Sequence, residues 1–181
     1  MKDRHDPYAA LRYRSYRYFL IGSFLSNLGR QALTVAAEWQ IYEWTQSATA
    51  LGLVGLINVV PLIALALPAG TLADRADRKK ILASSLLIST VISSGLALLT
   101  LYGHRIPDVA PLRWTNHELR AIALVFERHV NPATLHFDRP ALPLLYLLLF
   151  IEAATRVTRN PARATIVPLL MPPEVLSNAI T

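Results

Sequence analysis

The chain has 181 residues, 53% of them hydrophobic and only 17% charged, and its mean hydropathy is positive. That is the composition of a membrane protein, and it excludes an ordinary soluble domain. The absence of cysteine removes disulfide frameworks, redox motifs and thiolate metal sites, and the net charge of +6 reads as membrane topology, because the basic residues cluster beside apolar runs.

Residues 1–17 form a basic tail with five Arg or Lys, interleaved with Tyr8, Tyr13 and Tyr16. Rings and cations together suit the headgroup zone of a bilayer, where the rings anchor and the cations meet anionic lipid. A nucleic-acid arm is the alternative, disfavoured by the apolar run that follows at once. Asp3 and Asp6 sit among the bases, and the apolar run is longer than the core of a secretory signal, so the first helix is expected to stay attached.

The first expected span, Tyr18 to Trp44, carries Asn27, Arg30, Gln31, Thr34 and Glu38. At about 100° per residue these positions share roughly 100° of the helix surface, one polar stripe on an otherwise apolar helix. A central ionised residue costs roughly 2.5 to 3.5 kcal/mol of insertion, and each Leu, Ile, Phe or Val returns only about 0.3 to 0.6. The helix is therefore near neutral for insertion, and its stripe must face other helices or a water-filled cavity, where transporters place substrate and proton sites. A buried ion pair or network that only holds helices together is the competing reading for Arg30 and Glu38.

Thr45 to Thr49 has no Arg or Lys and is short enough to make the first two spans antiparallel neighbours. The second span, Ala50 to Leu72, has no charge over 23 residues, and neither has the third, Ile81 to Gly103; roughly 20 helical residues cross a bilayer core. Gly52 and Gly55 suggest close helix contact, and Pro61 and Pro68 suggest kinks. Asn58 either lines a pathway or bonds across a helix interface. The hydroxyls of Ser84, Ser85, Ser89, Thr90, Ser93 and Ser94 are expected to serve packing.

Between these spans lies Gly70-Thr71-Leu72-Ala73-Asp74-Arg75-Ala76-Asp77-Arg78-Lys79-Lys80, with six charges in the seven positions from Asp74 to Lys80, four of them Arg or Lys. Basic residues of this kind mark a cytoplasmic turn. The pattern of Gly, three residues, Asp-Arg, two residues and Arg-Lys resembles the signature loop between the second and third helices of the major facilitator superfamily. Its Asp-Arg-x-Asp-Arg-Lys-Lys form is most similar to the branch of enterobactin exporters and macrolide-efflux proteins. Asp77 stands where the wider superfamily has Gly.

Residues 104–140 depart from that family, whose third and fourth helices are joined by a short loop. Thr115-Asn116-His117-Glu118 reads as a capping box, followed by Leu119, Ile122, Ala123, Phe126 and Val130 at helical spacing. The expectation is an amphipathic helix on the outer membrane surface, dispensable for integration. His104, His117, His129 and His136 have spacings that match no zinc pattern, and neither a phosphate loop nor a Ser-His-Asp arrangement stands out, so neither metal nor cofactor nor enzyme is expected. The fourth span, 141–159, is apolar to Ile151 and then carries Glu152, Arg156 and Arg159 towards the cytoplasm. Arg156 resembles the superfamily's fourth-helix arginine, although Asn160 stands where that motif has Gly. Residues 160–181 are similar to the branch's loop and the start of a fifth helix.

The reading is an all-α membrane protein with helices 1–3 in residues 18–103 and helix 4 in 141–159, the start of the N-terminal six-helix half of a major facilitator fold. The resemblance implies a bacterial inner-membrane, multi-pass protein with a cytoplasmic N-terminus. It also implies secondary transport by proton-coupled efflux of a small hydrophobic or siderophore-like molecule, carried out only together with helices 5 onward. Expected partners are lipid, a small-molecule substrate and protons, but no nucleic acid. In that reading Gly70, Asp74, Arg75, Arg78 and Lys79 gate one side. Asn27, Arg30, Gln31, Thr34, Glu38, Asn58 and Arg156 line the substrate or proton pathway, and Glu38 is the coupling acid. The alternative is a small four-helix membrane protein with a structural or partner-binding role.

Overall fold

A computed structural model describes residues 12–75, 77–127 and 129–164. The start of the basic tail and residues 165–181, with the expected start of a fifth helix, lie outside the described residues. Five α-helices follow one another: α1 (Arg14–Thr45), α2 (Ala48–Arg75), α3 (Arg78–Tyr102), α4 (Ala110–Phe126) and α5 (Ala141–Ala164). No strand occurs among the described residues. Helices are the form in which a chain in lipid satisfies its own backbone groups, and the long apolar runs adopt it. Segments of 19 residues in α2, 26 residues from α3 through the turn after it (Lys80–Arg105) and 20 residues in α5 are long and apolar enough to cross a membrane. α1 has the length, at 32 residues, but its polar stripe makes it the least apolar of the four long helices.

The helix most deeply packed is α5, which lies against both α2 and α3. Its Ala141, Leu142, Leu145, Tyr146 and Leu149 are buried with Val54 of α2 and with Ile92 and Leu96 of α3. Inside this core the Tyr146 hydroxyl donates to the Ala50 carbonyl at 2.8 Å, tying α5 to the first turn of α2. A Cβ on Gly103 would lie 3.0 Å from the Ala141 Cβ, so the ends of α3 and α5 meet at a separation suited to glycine. Gly52 and Gly55 do not have the expected packing role, because a Cβ on either would meet nothing within 4 Å.

α1 behaves differently along its length. Its buried residues are Ala37, Ile41 and Thr45, all close to the turn into α2. Towards its start, Tyr18, Ile21, Phe24, Leu25 and Leu28 are exposed. The helix thus leans on the bundle at one end and stands away from it at the other.

The turn between α1 and α2 is two residues long. Gln46 closes α1 in the left-handed region, φ 53°, with its N–H on the Tyr42 carbonyl at 2.8 Å. Ser47 opens α2, its Oγ accepting from the Ala50 N–H at 3.1 Å, as an N-cap does. Glu127, from the far end of α4, completes the cap. It accepts from the Ser47 hydroxyl at 2.8 Å and from the Thr49 N–H.

That contact shows how residues 104–140 depart from expectation. The amphipathic helix exists, but α4 begins at Ala110 with Pro111 in its first turn. Thr115 is therefore inside the helix and not a cap, and its hydroxyl bonds back to the carbonyls of Pro111 and Leu112. The segment is not a loose surface addition either. Leu135 and Phe137 are buried in the core cluster, the Asn116 amide donates to the Arg139 carbonyl at 2.9 Å, and the His136 N–H reaches the Thr45 carbonyl at 3.1 Å.

At the other end of the bundle the break between α2 and α3 is shorter than the charged stretch suggests. α2 continues through Arg75 and α3 resumes at Arg78. The side chains of Asp74, Arg75, Arg78 and Lys79, and the surroundings of Gly70, lie outside the described residues.

Candidate functional site: a polar cleft between α1, α3 and α5

Because α1 stands off below Ala37, a cleft of about 480 Å³ opens between it, α3 and α5. Its polar lining includes Arg30 from α1, Ser89 and Ser93 from α3, and Glu152 and Arg159 from α5. Arg30, Ser89 and Glu152 lie near the middle of their helices, and the midplane is where transporter sites form. The size falls in the range of small-molecule sites, roughly 300 to 1,000 Å³.

Glu152 and Arg159 are seven residues apart, two turns along α5, and so share one face. On that face they meet Ser89. Its hydroxyl approaches the Glu152 carboxylate, 2.9 Å from Oε2 and 3.1 Å from Oε1, and Arg159 Nη1 donates to the same hydroxyl at 2.9 Å. Arg159 Nη2 lies 3.6 Å from Glu152 Oε1, close enough for attraction but too long for a hydrogen bond. Nη2 is buried and has no hydrogen-bond partner. The two side chains are only 9% and 14% exposed. The Ser89 hydroxyl between them holds the two side chains in register.

Among the sequence-derived candidates, Arg30 is the one that lines the cleft. Its Nη2 donates to Asn27 Oδ1, and its carbonyl accepts from the Thr34 hydroxyl at 3.1 Å. Asn27 and Thr34 therefore steady Arg30 and its turn of helix. Gln31 is exposed. Glu38 is half-buried nearer the α1–α2 turn and is not among the residues lining the cleft. The stripe is one face of α1, but of its five residues only Arg30 borders this opening.

Asn58 and Arg156 come together on another interface. Arg156 Nη2 donates to Asn58 Oδ1 at 2.6 Å, while the Asn58 amide donates to the Val54 carbonyl at 2.9 Å. This is a polar tie between α5 and α2, which favours the interface alternative for Asn58. The hydroxyls of α3 also divide. Ser84, Ser85, Thr90 and Ser94 bond back to the preceding turn as expected, whereas Ser89 instead bridges the ion pair. Sequence reasoning missed Glu152, Arg159 and Ser89 as one unit. The seven-residue spacing was the available signal, but nothing in it pointed to Ser89 on another helix.

Among the described residues, no three His, Asp or Glu converge as metal ligands. The sequence pattern of the transmembrane secretion effector family matches residues 5–110, which cover α1, α2, the charged hinge and α3. The chain is also similar to the Staphyloferrin A transporter of Staphylococcus aureus, with 30% identity over 84 residues, 46% of this chain and 21% of the relative. It thus aligns with about a fifth of the length of that curated relative. No solved structure matches the chain.

Proposed function

Since the chain belongs to the transmembrane secretion effector family of the major facilitator superfamily, we propose that it contributes the first membrane helices of a secondary active exporter, with the cleft between α1, α3 and α5 as part of the substrate route. The single observation behind this reading is that Arg30, Ser89, Glu152 and Arg159 line one open cleft, the first three near the middle of their helices. Ionisable groups are costly inside a membrane, and a helix bundle that needed only to pack would do so with apolar side chains.

In this reading the N-terminus and the charged hinge are cytoplasmic, and residues 104–140 are extracytoplasmic. The membrane is the bacterial inner membrane. Asp74 and its basic neighbours, including Arg75, Arg78 and Lys79, hold the hinge side closed. The transported molecule is small and either hydrophobic or siderophore-like, as the enterobactin and macrolide branch and the name of the staphylococcal relative suggest, and export is driven by protons. Arg30 belongs to the route, supported by Asn27 and Thr34, while Asn58 and Arg156 fasten the wall behind it.

Export is tested in cells. Strains lacking the gene should retain a siderophore or hydrophobic efflux substrate that the parent strain releases, and a protonophore should stop release by the parent. Unchanged release on deletion refutes transport and leaves a structural or partner-binding membrane protein. Release that survives the protonophore refutes proton coupling alone. A reporter fused after residue 77 that signals from outside the cell would reverse the topology.

A further inference from the structure

We propose that a second, smaller cleft, beside α4 and away from the charged hinge, binds a small zwitterion through its primary ammonium and its anionic group. The proposal is independent of the transport route. This cleft has a volume of about 210 Å³ and is lined from α4, from Asp108 just before it and from Asp138 just ahead of α5. It lies almost wholly in residues 104–140, whereas the family pattern ends at residue 110. Sites for larger small molecules run from roughly 300 to 1,000 Å³, so the occupant here has few atoms.

The walls carry opposite charges. Arg113, His117 and Arg120 follow one another at spacings of four and three residues, and so form one stripe along α4. Asp108 and Asp138 stand on the segments that flank the helix. Among the described residues, none of the two guanidiniums and two carboxylates is within ion-pair distance of an opposite charge. Arg120 Nη2 reaches only the Pro132 carbonyl, at 3.5 Å. The walls are also fixed to each other. The Asn116 amide donates to the Arg139 carbonyl at 2.9 Å, and Phe137 is anchored in the core cluster.

Asn116 selects the occupant. It lines the cleft, is 6% exposed, and its Oδ1 has no hydrogen-bond partner. Because a carbonyl only accepts, the amide nitrogen must face Arg139, and Oδ1 is left as the acceptor. A buried acceptor without a donor is costly, so the site favours a group that brings N–H. A primary ammonium does so and is attracted by Asp108 and Asp138, while the guanidinium forks of α4 match an anionic oxygen pair. Two guanidiniums on the same rim argue against a bare metal cation. Amino acids free in solution and the ethanolamine headgroup of a lipid both carry this pair of charges. The remainder of α4 favours the solute. Exposed Trp114, Ile122, Val125 and Phe126 centre on a direction roughly 150° around the helix from the basic stripe. If that apolar face meets lipid, the cleft faces water.

Calorimetric titration of the full chain in phosphatidylcholine nanodiscs, with β-alanine as the probe, tests the site. The bilayer's quaternary ammonium has no N–H and should not compete. β-Alanine should bind, and N,N,N-trimethyl-β-alanine, which keeps both charges but has no N–H, should bind about tenfold more weakly. Asp138→Asn should weaken β-alanine about tenfold without altering the weak binding of propionate, whereas Arg113→Gln should weaken both. Both positions are exposed, so the fold should survive. Glu118→Gln, on another side of α4, should change nothing. Absence of β-alanine binding overturns the site. Equal affinity for the trimethyl compound overturns the role of Asn116, and wild-type affinity in both Asp138→Asn and Arg113→Gln overturns the two-walled recognition. In phosphatidylethanolamine nanodiscs the affinity for β-alanine should be unchanged. Loss of binding there overturns the solute as the source and assigns the cleft to the lipid's own ammonium and phosphate.

Discussion

The two ends of the helix bundle are built on opposite terms. At the α1–α2 turn, every element is fastened. Ile41 and Leu142 are fully enclosed, Tyr146 bonds to the first turn of α2, Glu127 caps that turn, and residues 135–137 pack into the core. Towards the charged hinge, α1 stands away and the space between helices is lined by polar side chains set among apolar ones. The same four long helices thus form a closed clamp at one end and an open cleft at the other. Rigid-body rocking of a helix needs such an asymmetry, with a fixed contact about which the open end can change its separation.

The sharpest way to break the comparison is to strike α1 at both ends. Ile41→Ala, in the enclosed contact, should destabilise the chain by about 3 kcal/mol. Phe24→Ala, at a site 66% exposed, should stay within about 0.5 kcal/mol. Equal costs in reversible unfolding from mixed micelles would mean that α1 is packed along its whole length.

Tyr146→Phe should cost about 1 to 2 kcal/mol by removing the buried hydrogen bond to Ala50 while preserving the ring. The same unfolding measurement reads it, and a neutral result would show that apolar packing alone closes that end.

Glu127→Gln tests the cap, and should cost about 1 kcal/mol at neutral pH. Burial pushes the Glu127 carboxyl upwards, but the hydrogen bonds from Thr49, Ser47 and Ala48 outweigh it and hold its pKa below the ordinary value of 4.5. A lowered folded-state pKa means that this stability is fully present above 4.5 and is lost as the pH falls through the lower folded value. The wild-type chain should therefore lose this increment in that acid window, and Glu127→Gln should show no such loss. Matching acid profiles for the two proteins would remove Glu127 from the clamp.

The smallest effect expected is a gain. Gln46 holds a left-handed backbone at φ 53°, so Gln46→Gly should stabilise the turn by about 0.5 to 1 kcal/mol. A loss would show that the Gln46 amide contacts with the carbonyls of Tyr42 and Glu43 outweigh the backbone strain.

Much of the clamp and its helices was legible in the residues. Uncharged runs marked α2 and α3 within a few positions of their ends, and the amphipathic spacing after Leu119 revealed that α4 exists. Its cap was misplaced by six residues, Thr115 for Val109, because Thr115 followed by Glu118 is compatible with a cap but equally with a helix interior. The open cleft was only half legible. Arg30 stood out because a cation in an apolar span is costly wherever it points. Glu152 and Arg159 were visible as charges near the end of a span, yet their pairing through Ser89 was not.

What the sequence alone determined is what depends on distance along the chain: the place and approximate length of the long helices, the charged hinge and the polar stripe of α1, since helical rise and the cost of burying charge act on local composition. Only the tertiary structure decided which polar groups meet. Ser89 and Glu152 are 63 residues apart, and Ser47 and Glu127 are 80 apart. Such contacts are selected by how whole helices pack and lean, which no local periodicity encodes.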